Sequence, residues 1–337
     1  AANAMMVGGQ AAAMQSQLNF SRDMEREADR VGYGVMTDAG YEAQGFVTMF
    51  EKLQQAARLN DNGSFPYLRS HPMTTERIAD AQARQQLLPT RAAVATTPTH
   101  AMMSARAQVL AKPGVDVLRT LAGQANATTL ALATPAKQAG VLYGATMAEM
   151  VQRNFGAARQ HLARLQSLAG LELSALRAVR LLAAELALTA GDAAQAVVLL
   201  TPKVVLLASQ DRATRMQLAR SRIATQKPAQ GKLAASELSL WLSQHPRDAS
   251  AWLLQASAYE LQGDSLRAIR AQAEARAMEL DYGAAVDRFK AAQQLAHQMA
   301  SESKLDRGGH MEASIIDARL RELERLRREQ ALERGIN

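Results

Sequence analysis

The chain has 337 residues, of which 48% are hydrophobic and only 4% aromatic, and its formal net charge is +7. The hydrophobic fraction is high enough to form a buried core, which excludes global disorder, and the scarcity of aromatic residues favours helices over sheets. The lack of cysteine excludes a disulfide framework, a thiolate metal site and a cysteine nucleophile, and no uncharged hydrophobic run reaches the length of a membrane span.

Glycine and proline divide the first ninety residues into helix-length pieces. An Ala- and Met-rich stretch over residues 3–18 comes first. A helix with Ser21 as its N-cap and hydrophobic residues at helical spacing then stops at Gly40. A third piece covers residues 46–57, and a fourth begins with Thr74 or Thr75 as its cap and ends near residue 88.

A linker is predicted over residues 89–100, which contain two prolines and four threonines without a helical period. The linker separates a first domain, residues 1–88, from a second domain, residues 101–337. We therefore predict two domains that differ in composition and pattern.

Paired helices are predicted throughout the second domain. Gly191-Asp192 and Gly263-Asp264 each separate two hydrophobic stretches, and an alanine follows each aspartate after four residues. Ala234 lies 34 residues before Ala268, so this part of the chain resembles the tetratricopeptide repeat. About four units would fill residues 101–300, and the amphipathic segment 311–333 would cap the stack.

The residues that suggest chemistry lie in the first domain. Glu25 and Asp29 are four residues apart, on one face of a helix, and His71 and Arg77 follow in a second short motif. Each feature alone is weak, because an acidic pair is usually a solvated helix face and a single histidine is usually structural. Together, the run SRxxExEAD followed by SHPxxxxRI is more specific.

In this order the two motifs resemble those of the HtpX-like zinc metallopeptidases, most closely the periplasmic branch in which tetratricopeptide repeats follow the protease, the β-barrel-assembly-enhancing type. The resemblance implies an all-α fold, with the C-terminal helical part of a zinc metallopeptidase domain followed by a tetratricopeptide-like solenoid. It also implies Zn²⁺ as cofactor, a periplasmic location, and a metalloendopeptidase activity in the quality control of outer-membrane proteins.

The same resemblance implies a role for each matching residue. Glu25 would be a metal ligand, and Asp29 would orient a ligand histidine. His71 and Arg77 would lie beside the scissile carbonyl, where a cation or an N–H donor stabilises an oxyanion, or else His71 would occupy the open metal position as a gate. The predicted catalytic residues are therefore His71, Arg77 and Asp29, and the predicted metal ligands are Glu25 and His71.

One element of the resemblance is missing from the sequence, the HExxH motif that supplies two histidine ligands and the catalytic glutamate. None of the six histidines is followed by glutamate, and no two are spaced i, i+4. Relatives carry this motif upstream of the position where this chain begins, so the chain is either a truncated or cleaved product or a degenerate relative. We expect the first, because Glu25, Asp29, His71 and Arg77 are all present. The chain by itself is expected to be inactive.

Three functions stay open from the sequence. In the first, the parent enzyme cleaves proteins while its repeats bind unfolded or misassembled outer-membrane proteins or their assembly machinery. In the second, the chain is a non-catalytic scaffold that holds a peptide in the groove of residues 101–300. A basic surface facing a membrane or nucleic acid is the third. Its charges are scattered, so no nucleic-acid partner is predicted, and peripheral membrane association stays open.

Overall fold

The computed structural model describes residues 23–59, 75–86, 95–201 and 211–335, and every regular element within these ranges is a helix. The predicted all-α fold class is confirmed for this part of the chain. The chain divides into two compact units, Ala1–Ala95 and Thr96–Asn337, each with its own hydrophobic core. The division falls within the stretch 89–100 that was predicted as a linker, although a helix already begins at Pro98.

The first unit contains three helices in its described part. Helix α1 covers residues 23–38, α2 covers Ala43–Leu59 and α3 covers Thr75–Gln86. The end of α1 is where the sequence predicts it, because Gly40 has a φ of +86°, a left-handed conformation that glycine adopts with little strain. The end of α1 therefore agrees with the sequence, whereas the predicted caps Ser21 and Thr74 lie outside the described residues.

The core of the first unit is built on aromatic residues of α1 and α2. Tyr33 packs edge-on against Phe46, with ring centroids 5.4 Å apart, and Phe46 lies 4.6 Å from Phe50. By contrast, the hydrophobic stripe that predicted α1 is exposed among the described residues, and Val35 keeps 65% of its surface accessible. The spacing thus predicts the helix but not the face that it buries.

The second unit is a succession of helices. They are α4 (Pro98–Leu110), α5 (Val115–Gln124), a 3₁₀ helix (Thr128–Leu132), α6 (Pro135–Val151), α7 (Phe155–Gln166), α8 (Leu173–Thr189), α9 (Ala193–Leu200), α10 (Arg212–Ala224), α11 (Pro228–Gln244), α12 (Ala249–Glu260), α13 (Ser265–Met278), α14 (Tyr282–Ser301) and α15 (Arg307–Gly335). None of the described helices is both long and hydrophobic enough to cross a membrane.

Several of the turns between these helices share one geometry. A residue with positive φ precedes the cap of the next helix, as at Gly191 and Gly263. The aspartate that follows, Asp192 or Asp264, caps the helix by accepting the N–H of the third residue beyond it. Both predicted Gly-Asp pairs therefore form turns between two helices.

The spacing of two successive helix pairs differs from the predicted 34 residues. The caps of α10 and α12, Asp211 and Asp248, are 37 residues apart, and so are the caps of α11 and α13, Lys227 and Asp264. The extra length lies in α11, which has 17 residues against 14 in α13. Gly231, rather than Ala234, is therefore the counterpart of Ala268.

The last helix, α15, is amphipathic as the sequence predicts. Ile316, Leu320 and Leu323 are buried and pack with Val286 and Phe289 of α14. The charged residues on its other face are largely exposed. Helix α15 thus presents one solvated face at the C-terminal side of the unit.

Candidate functional site

Helices α1 and α3 bring three of the four predicted site residues together. Glu25 and Asp29 lie one turn apart on α1, and both face Arg77 near the start of α3. Arg77 donates from Nε to Asp29 Oδ2 at 2.7 Å and from Nη2 to Asp29 Oδ1 at 2.6 Å. Its Nη1 lies 3.0 Å from Glu25 Oε2. The two carboxylates that the sequence places on one helical face therefore converge on a single guanidinium.

This cluster is largely shielded from solvent. The side chain of Arg77 is 10% exposed, and those of Glu25 and Asp29 are 17% and 18% exposed. The ring of Phe50 lies under the guanidinium, with 5.2 Å between Arg77 Cζ and the ring centroid. Because water screens these charges only partly, the ion pairs are stronger than pairs on the protein surface.

A second ion pair joins the same two helices at the surface. Arg26 of α1 contacts Glu76 of α3, and both side chains are about half exposed. Arg26 Nη1 also lies 3.2 Å from Asp23 Oδ1 on its own helix. Such exposed pairs contribute little to stability. The Arg26–Glu76 pair is therefore a suitable control for the buried contacts of Arg77.

The fourth predicted site residue, His71, lies outside the described residues. Its assignment as a metal ligand or as a donor to the oxyanion stays a prediction. His71 is nevertheless the only histidine among residues 1–95 of the sequence. The first unit therefore offers a metal at most one imidazole.

The donors that the described residues supply fit a zinc ion in part. The carboxylate of Glu25 suits Zn²⁺, which accepts oxygen as well as nitrogen ligands. Within the described ranges, however, no three His, Asp or Glu side chains are grouped closely enough to hold a metal ion. The cluster thus fits as a contribution to a zinc site, and it lacks the histidines that would complete one.

Two histidines of the second unit have structural surroundings. His161 is 5% exposed on α7, and burial lowers the pKa of its imidazole. His245 stacks on Trp241 with ring centroids 3.8 Å apart. Neither belongs to a group of metal-binding side chains among the described residues.

Sequence reasoning missed the partner of the two carboxylates. It predicted Arg77 beside the scissile carbonyl, which stays a prediction, and it did not predict that all three guanidinium nitrogens of Arg77 contact Asp29 and Glu25. The signal that could have found this is the position of Arg77 on α3, next to Ile78 and one turn before Ala81, which are both buried. An arginine on a buried helix face needs carboxylate partners.

Comparison with known proteins first indicates a class of enzyme, the peptidases. Residues 1–85 match the sequence profile of Peptidase family M48. Two individual relatives with significant similarity to this chain share the same protein name. A Vibrio cholerae protein, provisionally named a beta-barrel assembly-enhancing protease, is 32% identical over 117 residues, which are 34% of this chain and 22% of the relative. The beta-barrel assembly-enhancing protease of Escherichia coli K12 is 35% identical over 81 residues, 24% of this chain and 16% of the relative.

These matches confirm the resemblance that the two motifs predicted. The match to the family covers residues 1–85 of the first unit, which contain Glu25, Asp29 and Arg77. The chain aligns with only about a fifth of the length of the curated relatives. What the relatives do as whole proteins is therefore a matter of proposal for this chain.

Proposed function

We propose that this chain is part of a zinc metalloendopeptidase, in which Glu25 is a metal ligand and Asp29 orients a second ligand. The observation that carries the proposal is the convergence of Glu25 and Asp29 within a segment that matches Peptidase family M48. A zinc ion bound there would supply a water activated for attack on the peptide bond. The histidine ligands would come from outside the described residues.

The chain's own residues have distinct tasks in this proposal. Glu25 offers one carboxylate oxygen to the metal, which Zn²⁺ accepts beside imidazole nitrogen. Asp29 accepts the second N–H of a ligand histidine and so fixes the tautomer that binds the metal. His71 either binds the metal or donates to the oxyanion. The variant His71→Ala separates the two roles, because it loses zinc in the first case and keeps zinc with a lower kcat in the second.

The names of the relatives support a cellular setting for the proposal. Two relatives are named for enhancing the assembly of β-barrels. We propose that the full-length parent is periplasmic and cleaves misassembled outer-membrane proteins. In this view the paired helices of Thr96–Asn337 act as tetratricopeptide-like repeats that bind these proteins or their assembly machinery.

The test uses the full-length protein and compares two glutamates of the same helix. Glu25→Gln should lose bound zinc, measured by elemental analysis, and hydrolysis of casein. The control Glu27→Gln should keep both, because Glu27 is exposed and pairs with Arg30. Unchanged zinc content in Glu25→Gln would remove the ligand assignment. An HExxH motif encoded upstream of residue 1 would support the enzyme.

A non-catalytic scaffold is the alternative function. It is favoured by one observation, that the described residues contain no group of three metal-binding side chains. In this alternative the helices of the second unit hold a peptide, and the first unit has no chemistry. The scaffold would be supported if the full-length protein contains no zinc and does not hydrolyse casein, yet binds unfolded outer-membrane protein.

A further inference from the structure

Arg77 makes the buried contact between the two helices of the candidate site. Asp29 is 48 residues away in sequence, so the contact is tertiary. Both oxygens of Asp29 accept from Arg77, from Nε and from Nη2, which is the bidentate geometry that fixes the plane of a carboxylate. The third guanidinium nitrogen contacts Glu25. One side chain thus sets the orientation of both acids.

This geometry is hard to reconcile with a direct role of Arg77 on a substrate. An oxyanion donor has to present an N–H group to the substrate, whereas the Arg77 side chain is 10% exposed and each of its nitrogens contacts a carboxylate. The ring of Phe50 also holds the guanidinium from one side. Arg77 is therefore placed to hold Glu25 and Asp29 rather than to contact substrate.

We propose that Arg77 is a positioning residue, which fixes the rotamers of Glu25 and Asp29 so that Glu25 is presented to the metal and Asp29 to a ligand histidine. The inference rests on the proposed function. It assigns to Arg77 a role that depends on the planar fork of the guanidinium and not only on its charge. Lysine, which offers a point charge, cannot make the two parallel bonds to Asp29.

The experiment measures the zinc affinity of the full-length protein by competition with a chelator. Arg77→Gln should weaken zinc binding by about 10- to 100-fold, as the loss of an outer partner of a metal ligand does. Arg77→Lys should not restore the affinity, because it keeps the charge and loses the fork. The matched control Arg26→Gln removes the exposed bridge between the same helices and should stay within about twofold of the parent.

A second comparison tests whether Arg77 acts through Asp29. If it does, Arg77→Gln should weaken zinc binding less in an Asp29→Asn background than in the parent, because part of its effect passes through Asp29. Additive losses would overturn the coupling. Cobalt substituted for zinc gives an absorption spectrum that reports ligand geometry, and this spectrum should change in Arg77→Lys and not in Arg26→Gln.

The outcomes separate this inference from the proposed function. If Glu25→Gln loses zinc while Arg77→Gln binds it as tightly as the parent but has a lower kcat, Arg77 acts on the substrate and the inference is wrong. If Glu25→Gln keeps its zinc, the proposed function itself fails. Should Arg77→Gln not fold, a folded Arg77→Lys with parental affinity and cobalt spectrum would overturn the inference.

Discussion

Asp248 connects three helices of the second unit through one carboxylate. It caps α12 by accepting the N–H of Ala251, and it accepts Nε and Nη2 of Arg212 from α10 at 2.7 and 2.8 Å. Trp241 of α11 donates its indole N–H to the same group at 3.0 Å. These donors, Arg212 foremost, lower the pKa of Asp248 to about 2.

The low pKa of Asp248 predicts a dependence of stability on acid. Its folded pKa lies below its ordinary value of 3.8, so the ionised carboxylate contributes stability that is fully present well above that value. The contribution, about 2 kcal/mol, is lost as the pH falls through about 4 towards 2. In urea unfolding between pH 7 and pH 3, Asp248→Asn should be less stable at pH 7 and should lose less stability on acidification than the parent.

A control for this prediction is Asp116, whose side chain is 98% exposed. Asp116→Asn should leave both the stability at pH 7 and its decline in acid within about 0.5 kcal/mol of the parent. A decline in Asp248→Asn as steep as that of the parent would show that other carboxylates carry the acid dependence.

At the scale of elements, two glycines set how closely α4 and α6 approach. A Cβ placed on Gly140 would lie 3.0 Å from Ala101 Cβ and 3.1 Å from the backbone oxygen of Ala101. A Cβ on Gly144 would lie 3.1 Å from Ala105 Cβ. Neither backbone nor Cβ can move aside as a flexible side chain would, so the two helices need glycine at their contact.

We therefore predict that Gly140→Ala destabilises the second unit by about 1–3 kcal/mol, because the helices must separate to accommodate a methyl group. Gly156 on α7 is the matched control, since an added Cβ meets nothing within 4 Å. Gly156→Ala should be neutral or stabilising by up to about 1 kcal/mol, because alanine favours the helix. Urea unfolding gives the free energy of unfolding of both variants. Equal changes in Gly140→Ala and Gly156→Ala would contradict the packing argument.

Buried ion pairs fix α15 against α13. Glu274 accepts Nε and Nη2 of Arg319 at 2.8 and 2.6 Å, and Glu312 contacts Arg270. Both glutamate side chains are only 7% exposed. Because the acidic partner is on α13 in one pair and on α15 in the other, sliding α15 along α13 would bring like charges together.

We predict that Glu274→Gln lowers the free energy of unfolding by about 2–3 kcal/mol, since it leaves the partly buried guanidinium of Arg319 without its bidentate partner. Glu329 provides the control, because it pairs with Arg325 at the surface and Glu329→Gln should cost less than about 0.5 kcal/mol. The free energy of unfolding in urea checks both values. A loss below 1 kcal/mol in Glu274→Gln would mean that α15 is held by its hydrophobic face alone.

Features that depend on neighbouring residues can be predicted from this sequence, whereas features that depend on contacts between distant elements cannot. The C-terminal end of α1 and the Gly-Asp turns depend on one or two residues, and the sequence predicts them. The buried face of α1, the 37-residue spacing around α11 and the ion pairs of α13 depend on which elements meet. Likewise, Glu25 and Asp29 share a face through helical spacing alone, whereas the bond from Arg77 to Asp29 spans 48 residues. No local pattern encodes that contact.

At the scale of the whole molecule, the two compact units have separate cores. The core of the first unit includes Tyr33, Phe46 and Phe50. The second unit has several clusters of its own, which run from Met102 through Leu182 and Leu238 to Leu323. Because its helices pack against neighbours within the same unit, as in a repeat array, we expect the second unit to fold without the first.

We expect residues 96–337, expressed alone, to keep their helices and to unfold cooperatively, as measured by circular dichroism during heating. The sharper measurement is the effect of Asp248→Asn, whose contacts all lie within this unit. The substitution should lower the midpoint by the same amount in the fragment and in the whole chain, because the stability of the second unit comes from its own contacts. A fragment without a cooperative transition, or a clearly smaller shift in the fragment, would mean that the second unit depends on residues before 96 for its packing.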